Sequence, residues 1–355
     1  MAQPALGVMA TAIVIAISLG FISLFDAGTF GGWVAFFNLC LIPMQIVIVV
    51  LWGANPSFVA RFTQPLKGIV LLLVTMIAAA IIAPLALQAV GEGVSPPGPI
   101  PSHYAVIAVP TTFYMAIMFG GWPFMGRIRN PLLAGLTLLL ASYLVTYAIF
   151  RVFFDYDFMQ GAPVYLQSAP HGMFNAIMAL VFYVTILAGM FVVPCFDLWP
   201  LTTMPGVMKQ PVLGLAWTAI AIVIAAVAMN IGVGMMGMDP MAFLTKVTAP
   251  FIFGTIIVLN MLQNSLFANL AQPVKGILNT IAAAAIGVAL ALLYGALSPM
   301  ISGRLASGPP TYDFEVWLAN ALLSVTFPFL IFHAAYFGYW PLAKRPEPAG
   351  QPART

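Results

Sequence analysis

Ten apolar stretches follow one another along this chain, at residues 5–26, 33–53, 65–90, 103–122, 131–154, 172–195, 211–234, 241–268, 273–299 and 314–340. Each is close to the roughly 20 residues that carry a helix across the hydrocarbon core of a bilayer. Inside lipid every backbone N–H and C=O must find its partner within the protein, so only helices and closed barrels cross. A barrel would read as short strands of alternating polarity, and these stretches are continuously apolar. Only 6% of the 355 residues are charged, where soluble domains average roughly 25%, so the chain has too little charge to cover a water-facing surface. The reading is an all-α integral membrane protein of ten transmembrane helices, with the lipid bilayer as its first partner.

The punctuation between the stretches recurs. Each odd-numbered stretch opens with an amide residue, a proline and a following glycine: Gln3-Pro4…Gly7, Gln64-Pro65…Gly68, Asn130-Pro131…Gly135, Gln210-Pro211…Gly214 and Gln272-Pro273…Gly276. Even-numbered stretches leave through Trp122-Pro123, Trp199-Pro200 and Trp340-Pro341, with a looser version at Trp52 and Pro56. One copy alone is a helix start or stop. Proline in the first turn forfeits no intrahelical hydrogen bond, an amide caps free N–H groups, and tryptophan favours the interface. Five copies in phase predict five tandem helical hairpins of the same orientation, with boundaries near 1–60, 61–126, 127–206, 207–269 and 270–341. They form a single transmembrane domain over 1–341, followed by a polar tail at 342–355.

Charge sets the expected orientation. Arg61, Lys67, Arg127, Arg129, Lys209, Lys275, Lys344, Arg345 and Arg354 fall on one side of a ten-span arrangement, against Arg151, Lys246 and Arg304 on the other. Basic loops stay cytoplasmic, so both termini are expected inside a bacterial-type inner membrane. Asp26, Glu92, Asp155, Asp157, Asp239, Asp313 and Glu315 fall on the outer side, with Asp197 and Glu347 inside. The N-terminus has no basic leader and no small-residue cleavage site, so the first helix is expected to stay as an anchor. Cys40 and Cys195 read as small buried hydrophobes.

The two helices of a hairpin differ in chemistry. Odd stretches are mainly Ala, Leu, Ile and Val, whereas even stretches carry amides, aromatics and mid-span prolines such as Pro43, Pro110, Pro250 and Pro328. Polar groups at membrane depth face protein or water, so the even helices are expected inward and the odd ones toward lipid. Asn38, Gln45, Asn175, Asn260, Gln263, Asn264, Asn320 and His333 are then the candidates to border a substrate path. The competing reading of the same amides is glue between helices.

A second set of candidates lies on the outer side. His103 and His171 open the second and third even stretches, and Met235, Met236 and Met238 surround Asp239. Imidazole is a common metal ligand and thioethers select soft ions, so a metal is the one cofactor these residues suggest; no motif demands it. The outer acids could gather cations, with Arg151 as their nearest counter-charge. No phosphate-binding glycine loop, HExxH, CxxC or CxxCH occurs, nor a basic patch for nucleic acid. The expected function is a permease or channel for a small solute or cation. A membrane-anchoring subunit of a larger complex, and a metal- or redox-linked enzyme subunit using the outer His and Met residues, stay open as alternatives. So do membrane or periplasmic partner subunits and a homo-oligomer.

Overall fold

A computed structural model describes residues 2–343; Lys344, Arg345, Glu347, Arg354 and the rest of the tail lie outside the described residues. Among the described residues, nine helices are long and apolar enough to cross a membrane. They are α1 (Ala5–Ile22), α2 (Ala27–Leu51), α3 (Leu66–Gly91), α5 (Pro131–Phe153), α6 (Ala176–Cys195), α7 (Val212–Met235), α8 (Pro240–Met261), α9 (Val274–Ser302) and α10 (Asp313–Tyr336). A further helix, α4 (99–118), completes the alternation; it is less apolar, carrying His103, Thr111, Thr112 and three prolines. The chain is a multi-pass helical membrane protein. Among the described residues, strand structure is confined to β1 (Phe154–Asp155) and β2 (Phe174–Asn175), which pair in parallel on the acidic side.

The helices form two layers. In their most apolar stretches α2, α6, α8 and α10 are 61–72% buried, whereas α1, α3, α5, α7 and α9 are only 22–39% buried. The even helices touch in cyclic order, α2 on α4, α4 on α6, α6 on α8, α8 on α10 and α10 back on α2. The odd helices lie outside this ring: α5 packs on α4 and α2, α7 on α6 and α4, α9 on α8 and α6, α1 on α10 and α8, and α3 on α2 and α10. Small residues allow the closest of these approaches, as where Gly254 of α8 meets the backbone of α9 at Ala283, the contact by which helices associate when lipid is as apolar as leucine.

The amide–proline–glycine segments have a common environment at the basic end. In four of them the glutamine Oε1 accepts the N–H of the glycine four residues on (Gly7, Gly68, Gly214, Gly276). In three, Nε2 donates to the last carbonyl of an even helix: Gln3 to Met261, Gln64 to Tyr336 and Gln210 to Met118. Gln272 donates instead to Asp197. Asn130 is too short to reach across and caps its own helix at Leu132 and Leu133; there Trp52 Nε1 bridges the helices by donating to the Pro131 carbonyl. The glycine lets an even-helix side chain lie flat on the odd helix. Gly68, Gly135, Gly214 and Gly276 face Phe337, Trp52, Phe119 and Phe196, Gly7 faces the Met261 carbonyl and Leu262, and a Cβ at any of them would overlap its neighbour.

Even helices end by a device that the tryptophan–proline pairs do not reveal. Each runs into two consecutive left-handed residues, Gly53-Ala54, Gly120-Gly121, Asp197-Leu198, Gln263-Asn264 and Gly338-Tyr339. The N–H of Ala54, Gly121, Asn264 and Tyr339 then donates to the carbonyl six residues back, at Ile48, Met115, Val258 and His333, satisfying groups a helix C-terminus leaves free. Consequently α2, α4, α8 and α10 stop at 51, 118, 261 and 336, short of the expected 53, 122, 268 and 340. A proline near the end of a helix also costs a backbone donor. Pro194 cannot supply an N–H to the Met190 carbonyl one turn earlier, and Trp217 Nε1 of α7 donates to it at 3.0 Å. Widened π turns concentrate in the even helices, at Phe30–Val34, Val47–Leu51, Tyr114–Met118, Leu244–Thr248, Ile257–Met261, Asn320–Thr326 and Phe332–Tyr336.

Candidate functional site

Three cavities follow one another along the axis of the five even helices. The first, of about 340 Å³ at the acidic end, expected outside, is lined by residues of all five, including Leu39, His103, Val184, Leu244 and Asn320. The next, of about 40 Å³, has only apolar walls and shares Leu39, Val106, Val184 and Leu323 with the first. The third, of about 80 Å³ toward the basic end, brings in Gln45 and Asn260 and shares Phe113, Ile256 and Phe327 with the second. No residue of an odd helix lines any of the three.

The narrow point is aromatic. The Phe113 ring of α4 meets Phe191 of α6 edge-on with centroids 5.4 Å apart, and lies 6.1 Å from Phe327 of α10. All three are buried. A constriction with no hydrogen-bonding wall excludes water and ions, because a desolvated charge there would cost several kcal/mol. Polarity returns on either side. Asn320, Ser324, Ser102 and His103 border the outer cavity, where His103 Nδ1 sits 2.9 Å from the Tyr156 hydroxyl. Gln45 borders the inner one, its Nε2 donating at 2.9 Å to the Pro328 carbonyl while its buried Oε1 has no partner.

Of the eight candidate path residues, Gln45, Asn260 and Asn320 border the axis. Asn38 and His333 face a separate crevice on the lipid side. Asn175 is exposed and caps α6 through the N–H groups of Ile177 and Met178. Gln263 and Asn264 form the left-handed end of α8, where Asn264 Nδ2 donates to Asp197 and its Oδ1 accepts from Asn279. The neck residues Phe113, Phe191, Ile256 and Phe327 have no counterpart among the sequence candidates. In a helix rich in apolar residues an axis-facing phenylalanine reads like any packed one.

The outer metal candidates separate. His171 Nδ1 lies 2.5 Å from Asp157, and with Asp155 these form a group whose ligand atoms lie within 4.8 Å of one another. His103 faces Tyr156 instead. Asp239 caps α8 through the N–H groups of Met241 and Ala242 and accepts from the Tyr312 hydroxyl at 2.8 Å; Met235 and Met236 are exposed and Met238 half-buried. Arg151 donates at 2.8 Å to the Ser168 carbonyl and pairs with neither Asp155 nor Asp157.

The basic end holds one organised charge cluster. Asp197, outside the membrane span, accepts from Lys275 Nζ at 2.7 Å and from Gln272 and Asn264 at 2.9 Å each. Partial burial raises its pKa, but the Lys275 ammonium and the two amides outweigh that and hold it below the ordinary carboxylate value. Glu92 at the opposite end is also held low, by the backbone N–H of Ser168. No known protein family matches this chain, and no characterised protein or solved structure is significantly similar to it.

Proposed function

We propose that this chain is a bacterial-type inner-membrane permease or channel for a small uncharged solute, conducting along the axis enclosed by the even helices. The observation that carries this reading is the succession of three cavities lined by all five even helices and by no odd one. The outer cavity, where Asn320, Ser324, Ser102 and His103 interrupt mainly apolar walls, is the vestibule, Phe113, Phe191 and Phe327 are the closed gate, and Gln45 with Asn260 forms the inner landing. The dry neck favours a weakly hydrated solute over the cation that the acidic outer loops first suggested. The basic loops support an orientation with the vestibule outside and the termini in the cytoplasm. The five glycine–side-chain junctions support descent from a duplicated two-helix unit.

The test is solute flux into liposomes containing the purified protein, followed by stopped-flow light scattering over a graded series of neutral solutes. Flux above that of empty liposomes, abolished by Ile256→Trp in the neck, is the expected result. Flux equal to that of empty liposomes for the whole series, and unchanged when the neck is altered, would refute it. A second reading is favoured by the Asp155, Asp157 and His171 group: metal-dependent chemistry at the outer mouth. Its test is calorimetric titration with Zn²⁺ or Cu²⁺. Binding lost in His171→Ala supports it, and no binding to the unaltered protein ends it.

A further inference from the structure

Off the axis, a groove of about 330 Å³ runs between α7 and α9, with α6 and α8 as its floor. Ile224 and Ala228 wall it from α7, and Ala284 and Val288 from α9. Three residues break its apolar lining: Thr185, Thr248 and Lys246. The two threonines are buried and their hydroxyls hydrogen-bond each other at 3.1 Å, while Thr185 also donates to the Val181 carbonyl. Neither is left to seek a ligand. Lys246 is exposed, and among the described residues no carboxylate pairs with it. Asp239, seven residues earlier, is occupied by the N–H groups of Met241 and Ala242 and by the Tyr312 hydroxyl. The larger crevice between α1 and α3, of about 690 Å³, has no charged residue in its lining. A cation set on an apolar slot is therefore particular to the α7–α9 side.

Depth makes this charge informative. Lys246 is the seventh of the 22 residues of α8, counted from the acidic end. At about 1.5 Å per residue its backbone lies about 9 Å along the helix, within a hydrocarbon core of roughly 30 Å. An ionisable side chain inside a span is costly and marks a functional position, and the four-carbon stem of lysine lets its ammonium rise toward the interface. Beyond Lys246 the lining continues toward the basic end, to Phe251 of α8 and Val192 of α6, with no further charge. A small polar solute would find no second hydrogen-bonding group there. One cationic contact above a continuous apolar slot fits an amphiphile with an anionic head and a hydrocarbon chain, and lysine binds phosphate as a point charge. We propose that this groove holds an acyl chain of an anionic phospholipid from the leaflet at the acidic end, with Lys246 Nζ donating to its phosphate.

The experiment is native mass spectrometry of the full chain in detergent micelles, titrated with phosphatidylglycerol or with phosphatidylcholine of the same acyl chains. One phosphatidylglycerol is expected to bind severalfold more tightly than phosphatidylcholine. Lys246→Gln should abolish that difference, and Lys246→Arg should keep it. Ala228→Phe and Val288→Phe fill the groove from its two walls with Lys246 in place; they should weaken binding of both lipids severalfold, and so decide the matter if Lys246→Gln does not fold. Equal affinities for the two lipids in the unaltered protein, or a phosphatidylglycerol affinity unmoved by Lys246→Gln or by the wall variants, would overturn the proposal. So would release of the bound lipid by millimolar inorganic phosphate, which would make Lys246 a site for free anions. A tightest site lost in Lys67→Gln and kept in Lys246→Gln would place the lipid at the basic end, and would overturn it equally.

Discussion

Gly68 and Gly20 are both helical, and they differ in what stands opposite them. An added methyl at Gly68 meets the Phe337 ring, while nothing lies within 4 Å of the Cβ position of Gly20. Overpacking a well-filled contact costs about 1–3 kcal/mol, and glycine inside a helix is worse than alanine by about 1 kcal/mol. Gly68→Ala should therefore lower the thermal midpoint, and Gly20→Ala should leave it unchanged or raise it slightly. Equal effects at the two sites would contradict the junction described for these glycines. Asp197 gives a pH prediction. Its folded pKa lies below the unfolded value, which is about 3.9, so its stabilisation is present above that value and is lost as pH falls through the folded pKa. The pair with Lys275 is partly exposed, so screening keeps the contribution within about 1 kcal/mol. Unfolding midpoints measured from pH 6 down to pH 3 should fall more steeply for the unaltered protein than for Asp197→Asn.

At the scale of the helix, the left-handed pair that ends each even helix is the recurring unit. Leucine in that conformation costs about 1–2 kcal/mol, so Leu198→Gly, at φ +64°, should raise the midpoint of thermal unfolding; a fall would mean that the side chain's packing outweighs the backbone relief. The unequal chemistry of these pairs explains why they were hard to read. Gly53, Gly120-Gly121 and Gly338 announce a reversal, but Asp197-Leu198 and Gln263-Asn264 do not, and Gln263 and Asn264 looked instead like polar lining. The helices themselves were legible because continuous hydropathy has no other outcome in lipid. The split into more and less buried sets was legible too, since amides and prolines need protein neighbours. Which amide faces the axis was not. Asn38, Gln45 and Asn260 are chemically alike, and rotation about the helix axis, set by packing, sends Asn38 to the crevice and the other two to the inner cavity.

For the molecule as a whole, five helices enclosing an apolar axis make a barrier whose height depends on a few side chains. The neck of about 40 Å³ holds little more than one water, and the phenylalanines separate it from the cavity at Gln45 and Asn260. Shortening one of them should join the two cavities, while substitutions on the lipid-facing helices should leave conduction alone. The lipid-side crevice at Asn38 and His333, which shares no lining residue with these axial cavities, should respond to neither change. The most direct measurement is neutral-solute permeability of liposomes bearing Phe327→Ala, compared with the unaltered protein at equal density. A severalfold rise, reversed when Ile256→Trp is added, is the result expected if the axis conducts. Permeability identical in all three preparations would contradict it.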